Sequence, residues 1–312
     1  MTGRFETDPT TASRTGLMNL ARLDWDEDLC ALYGVPPDCL PRIVPSTGDL
    51  GILRAGGRAI PLRASLVDQQ AATWGHGCRR PGDTKITFGT GAFAFALAGE
   101  RPPADPQGAL PTLAWARAGE APIYALDGGV YTAGAAVEWA RGLGLFGDVL
   151  ALNDLPEEPA IARGLAFVPA LAGLACPHWN RRARGAWLGM DLATGPRDLV
   201  QAMLEGIAFR MAEVIEAMDR VVPIRDPISI DGGLSANPWF CGLLAAVLGR
   251  PLRISEEPEL TALGTARLAA EAAGLAVVLR SEGRLVQPPR DLRPWRARFA
   301  AARAAVEVYG MA

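Results

Sequence analysis

Ile228-Ser229-Ile230-Asp231-Gly232-Gly233-Leu234-Ser235-Ala236-Asn237 alternates apolar and polar residues, ends that alternation in an acidic residue and two glycines, and leads into Pro238-Trp239-Phe240-Cys241-Gly242-Leu243-Leu244-Ala245-Ala246-Val247-Leu248. The pattern predicts a strand, a sharp turn and a helix. Paired glycines let a backbone take positive φ and approach a bound molecule, and a helix N-terminus favours phosphate and other polar groups. A tight turn with no ligand explains the same residues, because the glycine spacing is not the G-x-G-x-x-G of a dinucleotide fold.

Downstream, Leu252-Arg253-Ile254-Ser255 reads as a strand. Thr261 to Ala273 reads as an Ala-rich helix stopped by Gly274, and Trp295 to Tyr309 as an amphipathic helix. Upstream lies the clearest helix, in which Val200, Met203, Leu204, Ile207, Met211, Val214, Ile215 and Met218 recur on one face behind the start signals Thr194 and Pro196. Its methionines fall on the buried stripe and read as core filler. Leu165 to Pro169 is strand-like, and residues 101–110 and 147–160 read as exposed connections.

Thr84 to Leu97 is expected to form two strands joined by Gly89-Thr90-Gly91, a plain hairpin or one that offers amides and a hydroxyl to phosphate. Asp127-Gly128-Gly129 is expected to open as a turn and continue into a helix through Gly134, Glu138 and Arg141. Its small residues allow either tight packing or a nucleotide lying over Gly134. Ala59 to Val67 reads as a strand running into a helix at Asp68-Gln69-Gln70, so Asp68 is either a helix cap or a carboxylate facing the crevice beyond a strand end. Residues 1 to about 55 are rich in turn formers, with Asp24 or Asp26 as cap of a short helix that Gly34 ends.

The 312 residues are 49% hydrophobic, enough for a sizeable core. A formal net charge of -3 with dispersed arginines argues against nucleic acid as a partner. Five scattered cysteines without a C-x-x-C pair argue against a disulfide framework or zinc site, and His76 and His178 are the only histidines and read as structural. No apolar run spans a bilayer and the first residues lack an apolar signal core, so no membrane association and a cytoplasmic location are expected.

Taken in order, the segments resemble the FGGY carbohydrate kinases, and among them the glycerol kinases. The matching residues are Ala12-Ser13-Arg14-Thr15 with Leu23-Asp24-Trp25-Asp26, Asp68-Gln69-Gln70, Phe88-Gly89-Thr90-Gly91, Ala133-Gly134-Ala135, Ala183-Arg184-Gly185, Asp231-Gly232-Gly233 with Asn237, and Thr261-Ala262-Leu263-Gly264. Each is weak alone, and their shared order carries the signal. The resemblance implies an α/β fold of the actin/hexokinase-like (ribonuclease H-like) ATPase type. Residues 1–80 would be the C-terminal remnant of the N-terminal, substrate lobe and 81–312 the complete C-terminal, nucleotide-binding lobe.

By the same resemblance, ATP with Mg²⁺ would phosphorylate a polyol or sugar hydroxyl, with glycerol to glycerol 3-phosphate as the leading reaction. Asp68 would be the general base and Gln69 would lie beside the substrate. Thr90 would meet the nucleotide phosphates, and Gly134, Glu138, Gly233 and Asn237 would line the nucleotide site. The resemblance assigns no metal-ligating residue in this chain. Three departures stand out: Glu138 where the family has Gln, Val67 where it has Gly, and Asn180 where it has Asp. The family's opening Asp-x-Gly-Thr hairpin, which binds phosphates and helps hold Mg²⁺, has no counterpart in the sequence. These residues alone are therefore expected to be inactive, with activity restored if a separate chain supplies the N-terminal half or if the true start lies upstream of Met1; the alternative is a non-catalytic adenine-nucleotide-binding module. A homodimer is the other partnership the reading allows. An actin-like filament protein shares the fold but not the Asp68-Gln69-Gln70 match.

Overall fold

A computed structural model describes residues 2–276 and 283–310. The first seventy residues form short elements: β1 (Glu6–Thr7), α1 (Pro9–Ala12), β2 (Met18–Asn19), β3 (Asp24–Trp25), α2 (Glu27–Tyr33), β4 (Arg42–Ile43), β5 (Ile52–Ala55) and β6 (Arg58–Pro61). Asp26 caps α2 through the N–H groups of Asp28 and Leu29, and Gly34 closes it in the left-handed conformation at φ +65°. The expected strand from Ala59 to Val67 stops at Pro61. Its hairpin partner is only four residues long and Pro61 pairs with the partner's first residue. Beyond it the pairing turns irregular: Leu62 N–H donates to the Gly51 carbonyl, Gly48 N–H to that of Arg63 and Ser65 N–H to that of Ser46, with an isolated bridge between Ala64 and Thr47.

Helix α3 (Asp68–Gly75) follows, and then a seven-stranded sheet built from β7 (Thr84–Phe88), β8 (Ala92–Gly99), β9 (Leu110–Trp115), β10 (Ile123–Val130), β13 (Ile228–Gly232), β14 (Leu252–Ser255) and β15 (Gly283–Val286). A separate antiparallel pair, β11 (Ala166–Val168) and β12 (Ala186–Leu188), lies between. The strand order is β15-β14-β13-β7-β8-β10-β9, with β13 parallel to both β7 and β14 and the other neighbours antiparallel. The helices are α4 (Gly134–Gly142), α5 (Pro196–Asp219), α6 (Pro238–Leu248), α7 (Leu260–Ala272) and α8 (Arg296–Tyr309). The stripe on α5 is core as its period requires: Met203, Ile207, Met211, Val214 and Met218 are all buried, packed with Ile86, Phe88, Ile228 and Ile230 of the sheet.

The expected turn at Asp127-Gly128-Gly129 is instead the buried end of β10. A Cβ at Gly128 would lie 2.9 Å from Cys176 Sγ, and one at Gly129 would lie 2.6 Å from the Phe93 ring. These glycines serve close packing on both faces of a strand. Helices α3 and α7 also meet backbone to backbone, since a Cβ on Gly264 would stand 1.8 Å from the Ala71 carbonyl oxygen and one on Gly75 would stand 2.5 Å from that of Leu260. That contact seats α3, and with it Asp68, beside the ends of β7 and β13.

Candidate active site

The β13 turn forms as its sequence requires. Gly232 ends the strand at φ +88°, a 3₁₀ turn covers Gly233–Ala236, and Asn237 caps α6 by accepting the Phe240 N–H at 2.8 Å. Gly232 has no room for a side chain, because its Cβ would fall 2.3 Å from the Phe88 carbonyl oxygen. Gly233 is exposed and open, its Cβ position 3.9 Å from that same oxygen. Asn237 is buried, and its Nδ2 has no hydrogen-bond partner. The turn thus carries an open glycine and, within it, a buried amide donor left unpaired.

Between this turn and α3 lies a cleft of about 540 Å³ lined by Asp68, Gln69, Lys85, Thr87, Asp231 and Gly232, with residues 255–261 as its far wall. Asp68 is not the helix cap. Val67 occupies that position without a side-chain bond, and Asp68 is the first helical residue. Its Oδ1 accepts the Gln69 N–H at 2.7 Å, the side chain is exposed to the cleft, and no other described side chain holds it.

Beneath Asp68 runs a polar chain that the sequence reading did not anticipate. Lys85 is 1% exposed. Its Nζ donates to Gln69 Oε1 and, at 2.7 Å, to Thr87 Oγ1. Thr87 stands opposite Asp231 in the β7–β13 register, and Asp231 Oδ2 lies 2.5 Å from Nε2 of His76 at the end of α3. Burial lowers the Lys85 pKa, against the opposing charges of Asp231 and Asp127. Burial pushes the Asp231 carboxyl up, but the hydrogen bond and charge of His76, the Lys85 charge and the Thr87 hydroxyl together hold it below its usual value. The visible signal is the period-2 spacing of Lys85 and Thr87, which puts both on one face of β7. Nearby, Arg14 reaches Asp127 Oδ2 at 3.1 Å, joining the first segment to β10.

Thr90 and Gly134 come together outside this cleft. The carbonyls of Gly89 and Thr90 accept the N–H groups of Ala133, Gly134 and Ala135, and a Cβ on Gly134 would lie 2.5 Å from the Gly89 oxygen. Gly134 is thus required by the seating of the Gly89-Thr90-Gly91 turn on the start of α4. The Thr90 side chain is exposed at the end of β7, which is also the strand end beside Gly232. Glu138, a turn further along α4, is exposed and pairs with Arg141. Asp68 and Gln69 therefore share the cleft, Gly233 and Asn237 share the β13 turn, and Thr90 and Gly134 share the β7–β8 turn. Strands β7 and β13 connect the three places.

The C-terminal domain of the FGGY family of carbohydrate kinases matches residues 84–273, and the N-terminal domain of that family matches residues 1–75. Glycerol kinase of Thermus brockianus is 44% identical over 263 residues, covering 83% of this chain and 53% of the relative. Glycerol kinase of Haloferax volcanii is 38% identical over 283 residues, covering 89% of this chain and 55% of the relative. The chain thus spans about half the length of the curated relatives it matches. Among solved structures, Plasmodium falciparum glycerol kinase with ADP superposes with a TM-score of 0.86 at 29% identity, over 98% of this chain and 63% of that one. A xylulose kinase of Rhodospirillum rubrum, at 22% identity and a TM-score of 0.80, shares the fold over 100% of this chain and 66% of its own.

Proposed function

This chain belongs to the FGGY family of carbohydrate kinases, and we propose that it serves the transfer of the γ-phosphoryl group of ATP to a hydroxyl of a polyol or sugar, glycerol first, giving glycerol 3-phosphate. The observation that carries the reading is the Asp68 carboxylate. It stands at the first position of a helix fixed backbone to backbone on α7, has one oxygen free, and faces a polar cleft beside the β13 turn.

Phosphoryl transfer asks the protein mainly to position an in-line oxygen and to stabilise charge. Asp68 would accept the proton of the substrate hydroxyl as its oxygen forms the bond to the γ-phosphorus. The bond from that phosphorus to the β–γ bridging oxygen breaks, and ADP leaves. Gln69 would fix the hydroxyl beside Asp68. Thr90 would meet the phosphates, Gly233 would give the nucleotide room, Gly134 and Asn237 would line its site by holding the two turns in place, and Glu138 would lie at its edge. Mg²⁺ bound to the phosphates supplies charge neutralisation. Residues 1–80 would be the end of the substrate lobe and 81–312 the nucleotide lobe, working together with the rest of a substrate lobe.

The test is a kinase assay with ATP, Mg²⁺ and glycerol, on the chain alone and with the N-terminal half of a glycerol kinase added, alongside calorimetric titration with ADP. Turnover that appears or rises on adding the half supports the kinase reading. ADP binding without phosphorylation in either case would make the chain a nucleotide-binding module.

A further inference from the structure

We infer that Lys85 is a positioning residue that fixes the amide of Gln69 with its Nε2 group facing the cleft, so that the substrate hydroxyl beside Asp68 meets a hydrogen-bond donor on one side and an acceptor on the other. The inference rests on the kinase reading for its consequence and on the geometry of three residues for its premise.

An amide side chain has two ends that differ only in chemistry, and its orientation is set by its partners. Lys85 carries an ammonium, which donates three hydrogen bonds and accepts none. It sits on the floor of the cleft, 1% exposed, on strand β7. One of its hydrogens goes to Thr87 Oγ1 at 2.7 Å and another to Gln69. The end of Gln69 that meets it must be the carbonyl oxygen. Rotating the amide by half a turn would set N–H against N–H over a buried cation and leave that cation short of an acceptor, the costly arrangement for a charged group inside a protein.

The Nε2 group is then left without a protein partner among the described residues, in a side chain that lines the cleft. Next to it, Asp68 has its Oδ1 engaged by the Gln69 N–H and its other oxygen free. A hydroxyl placed between the two has one arrangement that satisfies everything: its oxygen accepts from Gln69 Nε2, and its proton points to Asp68. The hydroxyl is thereby turned so that its proton faces the base before phosphoryl transfer begins. A glutamate in place of Gln69 would pair with Lys85 equally well but would offer the hydroxyl no donor.

The chain has five glutamines, so ¹⁵N-glutamine labelling of the full chain gives a spectrum in which the Gln69 NH₂ signal is assigned by its loss in Gln69→Glu. Lys85→Met is expected to shift that signal while those of the other glutamines stay in place, and Lys85→Arg, which also only donates, is expected to leave it near its wild-type position. An unmoved Gln69 signal in folded Lys85→Met overturns the inference. Should that variant fail to fold, Lys85→Gln replaces the ammonium by a group that also accepts, and the same signal is read against the same two outcomes. This readout needs no turnover, so an inactive chain counts against the kinase reading alone. In the reconstituted kinase, Lys85→Met is expected to lower kcat for glycerol about 100-fold with KM for ATP unchanged, the scale of a misplaced reacting group. A rise in KM for ATP with kcat intact would remove Lys85 from the substrate side and overturn its positioning role.

Discussion

His76 Nε2 lies 2.5 Å from Asp231 Oδ2, tying the last turn of α3 to the end of β13. The helix that begins at the proposed base thus ends on the strand that leads into the proposed nucleotide turn. His76→Ala leaves a carboxylate that is 17% exposed with one partner fewer, at an expected cost of about 1–3 kcal/mol at neutral pH. The folded-state pKa of Asp231 lies below the 3.8 of a free aspartate. The stability it contributes is therefore present above 3.8 and lost as pH falls through the depressed value. Urea unfolding from neutral pH to about pH 3 should show the gap between wild type and variant narrowing in acid; a constant gap would assign the whole effect to packing.

Asp68→Asn should remove phosphoryl transfer while leaving ADP affinity and stability nearly unchanged. Asp68 is neither the cap of α3 nor held by another described side chain. Its structural contribution is limited to the favourable placement of an anion at a helix N-terminus, about 0.3–1 kcal/mol. Loss of a general base costs about 10²–10⁴ in rate. Kinase rates in the reconstituted enzyme and calorimetric ADP titration check this together. Parallel loss of both would mean that Asp68 acts through the fold.

The two glycines of the β13 turn should separate cleanly. Gly232→Ala forces a Cβ to within 2.3 Å of the Phe88 carbonyl oxygen at φ +88° and should destabilise the fold by about 1–3 kcal/mol or more. Gly233→Ala meets nothing nearer than 3.9 Å and is not at positive φ. It should leave the thermal midpoint in place and weaken ADP about tenfold, a loss of about 1.4 kcal/mol. Thermal melts and ADP titrations of both variants decide it, and undiminished ADP affinity in Gly233→Ala would move the nucleotide off this turn.

These positions also show what the sequence makes legible. The Asp26 cap, the buried stripe of α5 and the β13 turn are local signals, each set by residues within one or two turns of chain. Strand β9 was unreadable as a strand because Leu110-Pro111-Thr112 lacks alternation and carries a proline, which only an edge strand tolerates, and β9 is the sheet's edge. Gly128 and Gly129 misled because a glycine pair looks the same whether it bends the chain or admits a neighbour. Asp68 and Gln69 were found through their resemblance to a family. Lys85 was missed because its meaning lies in a contact with Gln69 sixteen residues away that exists only once α3 docks on the sheet.

Glu205 offers a test far from the cleft. It is 2% exposed inside α5, with Oε1 accepting the Ala160 N–H at 2.7 Å and Gln201 Nε2 at 2.9 Å, and Oε2 accepting the Ile161 N–H at 3.1 Å. Burial pushes its carboxyl up to about 7, against the pull of those three bonds and the Arg163 charge. A raised folded-state pKa means stability that is full below the unfolded value of 4.5 and is lost as pH rises through about 7. The loss should be on the order of 3 kcal/mol. Glu205→Gln is neutral throughout, so its unfolding free energy in guanidinium should lack that decline between pH 4.5 and pH 7. It should also start lower at the acidic end, because an amide whose oxygen accepts from Ala160 and Gln201 sets its NH₂ group against the Ile161 N–H. An identical pH slope in wild type and variant would show that Glu205 stays ionised, held by its three donors, and that other groups set the pH dependence of the fold.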